Sequence, residues 1–454
     1  MSPRSRAGEL LLLAREAEGK ERAALLRRAA DQLAKRGHID FALAQIDKAL
    51  ALNPGDLPAR RQKGGLLAQA NKFAAARDWA EAIINDHPKD AANWALLGKI
   101  EKAEWISRWR KMGPMPERAA EETHLLVQAI EPFHAAISLD HGDYRSGLNA
   151  LALRSLLLHL SGADHHPVRL SNLREAVRGA ASAAIKKNSA DYGARAALGE
   201  LALLRGDTDE ALSAFRDAFR HADWFALNSS RAELAMLGDL EFRAESVAPV
   251  LAAIEEEIAK REAPRQARQT FLFSGHMIDR PGRERPRFPA AKEADAASLI
   301  AQQLDRFKAD DSDLAICGGA CGGDLLFAES ALQRGLRLDV HLQFAEADFL
   351  RVSVAFAGQQ WVERYHAVKA NPLTQVLVMP DELGDPPEGA DPYSRNNLWL
   401  LYSALANGPE RVRFIALWDG DAADGPGGTK HMVEIVEKHS GQAYILDSLW
   451  KENG

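Results

Sequence analysis

A chain of 454 residues exceeds what one hydrophobic core ordinarily organises, so two or three domains are expected. Its 46% hydrophobic and 27% charged residues exclude an intrinsically disordered chain. The net charge of −7 excludes a general electrostatic pull toward nucleic acid or anionic membranes, and direct nucleic-acid binding is not expected.

The first apolar run, Leu10 to Ala14, lies between Glu9 and Arg15 and is too short for a signal-peptide core. No stretch approaches membrane-spanning length, so a cytoplasmic, membrane-free protein is expected. The two cysteines, Cys317 and Cys321, fit a reducing compartment. Their C-x3-C spacing lacks the second pair of a structural zinc site, so no metal is assigned and they read as small loop-packing residues.

From Arg22 to about Lys260 the chain is rich in Ala, Leu, Arg and Glu, and a period of 34 residues runs through its first part. Pro54 and Pro88 are 34 apart, as are Gly64 and Gly98. The same register sets Ala42 against Ala76, Ile46 against Ala80 and Ala49 against Ile83. Trp94, Leu97 and Gly98 form W-x2-L-G, while Leu198, Gly199, Ala211, Phe215 and Ala218 give L-G…A-x3-F-x2-A. These residues resemble the tetratricopeptide repeat (TPR). Small residues let antiparallel helices approach, large ones fill the neighbouring groove, and the units stack into a curved α-solenoid. Such an array offers a concave surface to a protein or peptide, or serves only to position the rest of the chain.

Between Lys99 and Leu170 the period breaks at Gly113, Pro114 and Pro116, which interrupt a helix. Helical patterns resume over Leu125 to Leu139 and Tyr144 to Leu160, read as diverged repeats. Trp105 and Trp109 with Arg108 and Arg110 suit packing between repeats better than ligand stacking. His165 and His166 precede Pro167 without a partner at metal-ligand spacing and are expected to be solvated. Glu255, Glu256 and Glu257 read as a solvated helix face.

The expected organisation is a repeat domain over 1–262, a polar linker over 263–268, and a second domain over 269–454. In that domain, β-rich apolar runs occupy Phe271 to Gly275, Asp313 to Cys317, Arg337 to Leu342, Gln375 to Met379, Arg413 to Trp418 and Ala443 to Leu446. Helical patterns lie between them at Ala290 to Lys308, Asp324 to Arg334, Ala347 to Ala370, Tyr393 to Asn407 and Thr429 to His439. The alternation predicts a parallel sheet covered on both faces.

Ligands of such sheets sit at the carboxyl ends of the strands. There the chain places Ser274, Gly275, His276 and Arg280 after the first strand, with Arg283 and Arg285 further along. Gly318, Gly319, Gly322 and Gly323 follow the second strand, and Asp419, then Gly425 to Thr429, follow the fifth. Glycines admit backbone approach, and the start of a helix presents unpaired N–H groups, which suits a phosphate. A tight turn without ligand is the plain alternative. Thr429 can cap its helix or donate to a phosphate oxygen. Asp324 would repel a phosphate as a carboxylate, and suits either a helix N-cap or a ribose hydroxyl. Cys317 and Cys321 have no sequence partner that argues for catalysis.

Ser274-Gly275-His276, Gly318-Gly319-x-x-Gly322 and Gly427-Gly428-Thr429 resemble the SLOG superfamily of Rossmann-like domains. That group includes the cytokinin-activating phosphoribohydrolases and the DNA-processing protein A family. The resemblance covers about 269–449 and implies a nucleotide or nucleotide-derived ligand on the residues Ser274, Gly275, His276, Arg280, Gly318, Gly319, Gly322, Gly323, Asp324, Asp419, Gly427, Gly428 and Thr429. With the repeats, it looks like bacterial signalling and defence proteins. The hydrolase branch carries PGG-x-GT-x-x-E; here Pro426-Gly427-Gly428-Thr429 lacks the insertion, Met432 stands where the acid belongs, and Glu434 lies about 200° further round the helix. Glu329 is a weak substitute. No catalytic residue is therefore assigned. A ligand sensor leads, an N-glycosidase or phosphoribohydrolase is the alternative, and a ligand-free scaffold is the third reading. Beyond a nucleotide-derived ligand no cofactor is assigned, and homo-oligomerisation stays open.

Overall fold

The computed structural model describes residues 6–111, 113, 115–164, 166–261, 266–280, 282–421, 427–439 and 442–450. Its contacts divide the chain into two compact units, Pro54–Arg265 and Met1–Asn53 with Gln266–Gly454. No helix among the described residues is long and apolar enough to cross a membrane.

The first unit is helical throughout, running from Leu57–Gln69 to Ala244–Ala259, and each helix packs mainly on the next or the next but one. Local chemistry sets the starts. Asp56, Asp143, Asp191, Asp207 and Asp223 precede their helices, and each carboxylate accepts a backbone N–H of the first turn. The small positions of the repeat pattern lie at helix crossings. A Cβ on Gly98 would come within 2.9 Å of the Phe133 ring, and one on Gly199 within 2.7 Å of Phe215. Trp105 and Trp109 are wholly buried in this core, with ring centroids 5.9 Å apart. His165 lies outside the described residues. Contrary to expectation His166 is not simply solvated: its ring stacks on His134 at 3.7 Å. Burial, the neighbouring His166 and Arg154 push the His134 pKa down to about 4.

The second unit is built on six parallel strands: β1 (Thr270–Gly275), β2 (Leu314–Cys317), β3 (Arg337–Leu342), β4 (Thr374–Val378), β5 (Val412–Leu417) and β6 (Ala443–Leu446). Their order is β4-β3-β2-β1-β5-β6. Both faces are covered, which is why the strands read as continuous apolar runs. Phe271, Phe273, Ala315, Val340 and Ile415 face one core, where Phe273 stacks on Phe327 at 4.6 Å. Leu272, Ile316, Phe414 and Ala416 face the other, against Leu401, Ala404 and Met432.

Two features depart from the sequence reading. Residues Met1–Asn53 group with the sheet, not with the repeats after them. The contact is close: a Cβ on Gly8 of helix Arg6–Glu16 would lie 2.7 Å from the Ser403 backbone, and Glu16 grips buried Arg395 at 2.7 and 3.1 Å. The single helix expected over Ala347 to Ala370 is two, Glu346–Ser353 and Gln359–Ala370. They part at Gly358, whose φ of 116° lies outside the range other residues favour.

Replacing Gly199 by Val should therefore overpack the Phe215 contact and destabilise the helical unit by about 1–3 kcal/mol. A lower urea midpoint with an unchanged slope is expected; an unchanged midpoint would contradict this packing.

Candidate functional site

In this strand order the chain reverses direction of growth between β1 and β5, so the connections leaving those two strands diverge and leave a crevice at their carboxyl ends. A cavity of about 520 Å³ occupies that place. Ser274, Gly275, His276, Arg280, Gly318, Asp324, Gly427, Gly428 and Thr429 all line it. The turns after β1, β2 and β5 thus open into one cleft. Gly319, Gly322, Gly323 and Asp419 do not line it.

The glycines left outside have structural work. Gly322 (φ 93°) precedes helix Gly323–Gln333, and a Cβ there would lie 2.6 Å from the Ile278 nitrogen. Gly323 donates its N–H to the His276 carbonyl at 2.9 Å, and a Cβ on it would meet the Gly275 Cα at 3.0 Å. At Gly319 (φ 76°) a Cβ would lie 2.6 Å from Val340. These positions are glycine because two backbones touch or a turn needs positive φ, whatever the ligand. Cys317 and Cys321 are buried and unpaired as thiols, and burial pushes the Cys321 pKa up to about 12, which makes them inert packing groups.

Asp324 does not cap its helix, since Gly322 holds the cap position. Its Oδ2 accepts the Ala320 N–H at 3.4 Å, while Oδ1 is buried without a hydrogen-bond partner. The residue is 8% exposed. Burial raises its pKa to about 7, outweighing the Ala320, Gly275 and Gly318 N–H groups that favour the anion. The charge that would repel a phosphate is thus present only in part near neutrality.

Between β1 and β5 stands a charged cluster. His276 Nε2 lies 3.0 Å from Asp419 Oδ1, and Arg287 Nε lies 3.2 Å from Asp419 Oδ2. Burial disfavours the Asp419 anion, but Arg287, the Asp421 N–H and His276 together hold its pKa below the usual range. Burial and Arg287 lower the His276 pKa against the pull of Asp419. The loop carrying Arg287 is pinned by Asp279, whose Oδ2 accepts the Arg287 and Phe288 N–H groups at 2.8 Å each. Asp419 therefore serves the site from behind, by holding His276 and Arg287, both of which line the cleft. Arg287 escaped the sequence reading because its partner lies 132 residues away.

Arg280 is exposed at the rim, 4.7 Å over the Phe356 ring, with no acidic partner among the described residues. Arg283 also lines the cleft but sits 3.5 Å from Asp279, and Arg285 is exposed away from it. On the far side Gly427 (φ 77°) runs so close to helix Pro392–Leu405 that a Cβ would meet Tyr393 at 2.3 Å. Asn397 ties this turn down, donating to the Gly427 carbonyl at 2.8 Å. Gly428 accepts the Met432 N–H, so Thr429 opens its helix from inside the first turn and does not cap it. Gly425 and Pro426 lie outside the described residues. The remaining wall was not foreseen: Gln343, Phe349, Ser353 and Phe356 follow β3, and Tyr393 and Asn396 come from the helix after β4.

No acid of the hydrolase motif reaches the cleft. Glu434 is exposed beside Lys430, and Glu329 is held by Arg364 at 2.6 and 2.5 Å. Among the described residues no group of three or more His, Cys, Asp or Glu is placed to hold a metal ion. The helical unit has its own larger concavity of about 1220 Å³, with Arg61, His87, Lys99, Tyr144 and Asn149 on its walls.

Residues 38–154 match the model of the family Tetratricopeptide Repeats-Sensor (TPR-S). Three solved structures are similar, two of them described as TPR proteins. A thermophilic TPR protein of Thermus thermophilus, TTC0263, is 20% identical over 51% of this chain and 99% of its own, with a TM-score of 0.33. YrrB, described as a TPR protein with an unusual peptide-binding site, is 14% identical over 46% of this chain and 92% of its own, at 0.24. MamA is 15% identical over 45% and 96%, also at 0.24. No curated protein matches the chain. The chain carries TPR-type repeats followed by a parallel-sheet region.

Asp324 gives a test of the site's electrostatics. The folded protein keeps a proton that the unfolded chain loses near pH 4, so this group's contribution to stability falls as pH rises from about 4 to about 7. Asp324→Asn should therefore gain stability over wild type across that interval, on the order of 1.4 kcal/mol per pH unit, and level off above it. Thermal melts giving a pH-independent difference would contradict a buried acid with a raised pKa.

Proposed function

We propose that the cleft binds an anionic, nucleotide-derived ligand, and that the chain acts as a sensor whose repeats engage a protein partner. The observation that carries this reading is the convergence of the turns after β1, β2 and β5 on one cavity at the switch point of the sheet. An anion there would meet the backbone at the start of helix Thr429–His439 and the free guanidinium of Arg280. Phe356 and Tyr393 supply apolar faces for a base, and Tyr393 is 39% exposed. The volume suits a ligand of nucleotide size.

The SLOG-type reading of the sheet region belongs to this proposal, supported by the placement of Ser274, Gly275, His276, Gly427, Gly428 and Thr429 on that cavity. The sensor role draws on the name of the family matched by the repeats and on the concavity around Lys99, which makes no ion pair among the described residues. Binding without turnover fits the exposed Glu434 and the sequestered Glu329.

Calorimetric titration with nucleoside mono-, di- and triphosphates tests the proposal. Wild type should bind at least one of them, and Arg280→Glu should weaken that binding at least about tenfold, the loss of one charge-assisted contact and gain of repulsion. Heats absent with every nucleotide, or equal affinities for the two proteins, would sink it.

A further inference from the structure

Four guanidiniums gather on the helical unit, those of Arg174, Arg178, Arg205 and Arg243. Arg174 and Arg178 stand one turn apart on helix Leu170–Lys187. Arg205 ends helix Tyr192–Arg205, and Arg243 precedes helix Ala244–Ala259. Glu210 bridges two of them, pairing with Arg205 and lying 3.6 Å from Arg178. Arg205 is also 3.8 Å from Asp207, and Arg178 is 4.0 Å from Glu175. The Arg243 guanidinium covers Gly206, the left-handed cap beside Arg205, where a Cβ would lie 3.5 Å from its Nη1. That placement is imposed by the backbone. Glu241 and Arg243 both hold positive φ, 53° and 51°, a region costly for residues other than glycine. Phe242 between them is buried, and Thr208 donates to Ser246 Oγ at 2.9 Å, tying the turn to the start of helix Thr208–Phe219.

The neighbouring carboxylates are taken up by Arg178 and Arg205. Neither Arg174 nor Arg243 makes an ion pair or a side-chain hydrogen bond among the described residues. Arg174 is half-buried, with its Nε shut from water and unpaired. Burial lowers its pKa, and Arg205, Arg178 and Arg243 add to that against the pull of Glu175. Cations are crowded here without enough counter-charge, and a guanidinium cannot shed its proton in relief. The end of a helix accounts for a cation over Gly206, but not for unpaired Arg174. What the cluster lacks is an anion from outside the chain.

We propose that Arg174 and Arg243, backed by Arg178 and Arg205, form a second anion site, on the helical unit, for a small diphosphate-type anion. Guanidinium forks match phosphate oxygens in pairs, and two unpaired forks suit several negative charges better than a single carboxylate. The chain's net charge of −7 exerts no general attraction on an anion, so binding at this place has to be local. The site stands on its own residues, whatever the cleft binds.

The test is calorimetric titration of the full chain with inorganic pyrophosphate in an Arg280→Glu background, which removes the cleft's own free guanidinium. That parent should bind with a Kd below about 1 mM. Adding Arg174→Ala or Arg243→Ala should weaken binding at least about tenfold, the loss of one charge-assisted contact. Adding Lys187→Ala removes the same charge from an exposed position about 20 Å along the helix of Arg174, and should change affinity less than about twofold. Thermal melts verify folding, and should Arg174→Ala fail to fold, Arg243→Ala at its exposed position decides alone. No binding of pyrophosphate by the parent, affinities unchanged in the arginine variants, or an equal loss in Lys187→Ala would overturn the site.

Discussion

The backbone contact between Gly322–Gly323 and residues 275–278 governs the shape of the site. It locks the start of a helix against the turn leaving β1, through the Gly323 N–H to His276 carbonyl bond and an approach that leaves no space for a Cβ on either glycine. That junction closes one side of the switch point. The other side stays open, because β5 leads away toward Gly427–Thr429 and the helix Pro392–Leu405 stands beyond it. The cavity is what remains between a shut seam and a diverging connection, so its position follows from strand order and its depth from two missing side chains.

Charge within the cleft is distributed to match. The acid nearest the glycine turn is buried until its anion is disfavoured, and the acid after β5 is neutralised by Arg287 while it fixes His276. Burial thereby weakens the repulsion that a carboxylate at such a turn would exert, and Arg280 remains at the rim over the Phe356 face. The lowered His276 pKa and the raised Asp324 pKa share one cause, removal of water from the seam.

Much of this was legible in the chain. Apolar runs gave the six strands to within a residue or two, since a sheet buried on both faces admits few polar residues. The turn residues after β1 and β5 were found because glycines at a strand-to-helix junction are conspicuous. Partners distant in sequence were not: Arg287 meets Asp419, and Asn396 and Tyr393 reach the cleft from a helix that no local pattern connects to it. The four-glycine turn looked like a phosphate cradle, whereas Gly322 and Gly323 serve the seam itself. Met1–Asn53 shared the spacing of the repeats, yet Gly8 and Glu16 attach that segment to the sheet unit; helical periodicity shows which face is apolar, not what covers it.

Amide hydrogen exchange with and without saturating ADP addresses the shared cleft most directly. If one ligand bridges the turns, exchange should slow together over 274–280, 318–324 and 427–432, with smaller changes elsewhere. Slowing confined to one of those segments, or none in any of them, would contradict a single site at the carboxyl ends of β1, β2 and β5.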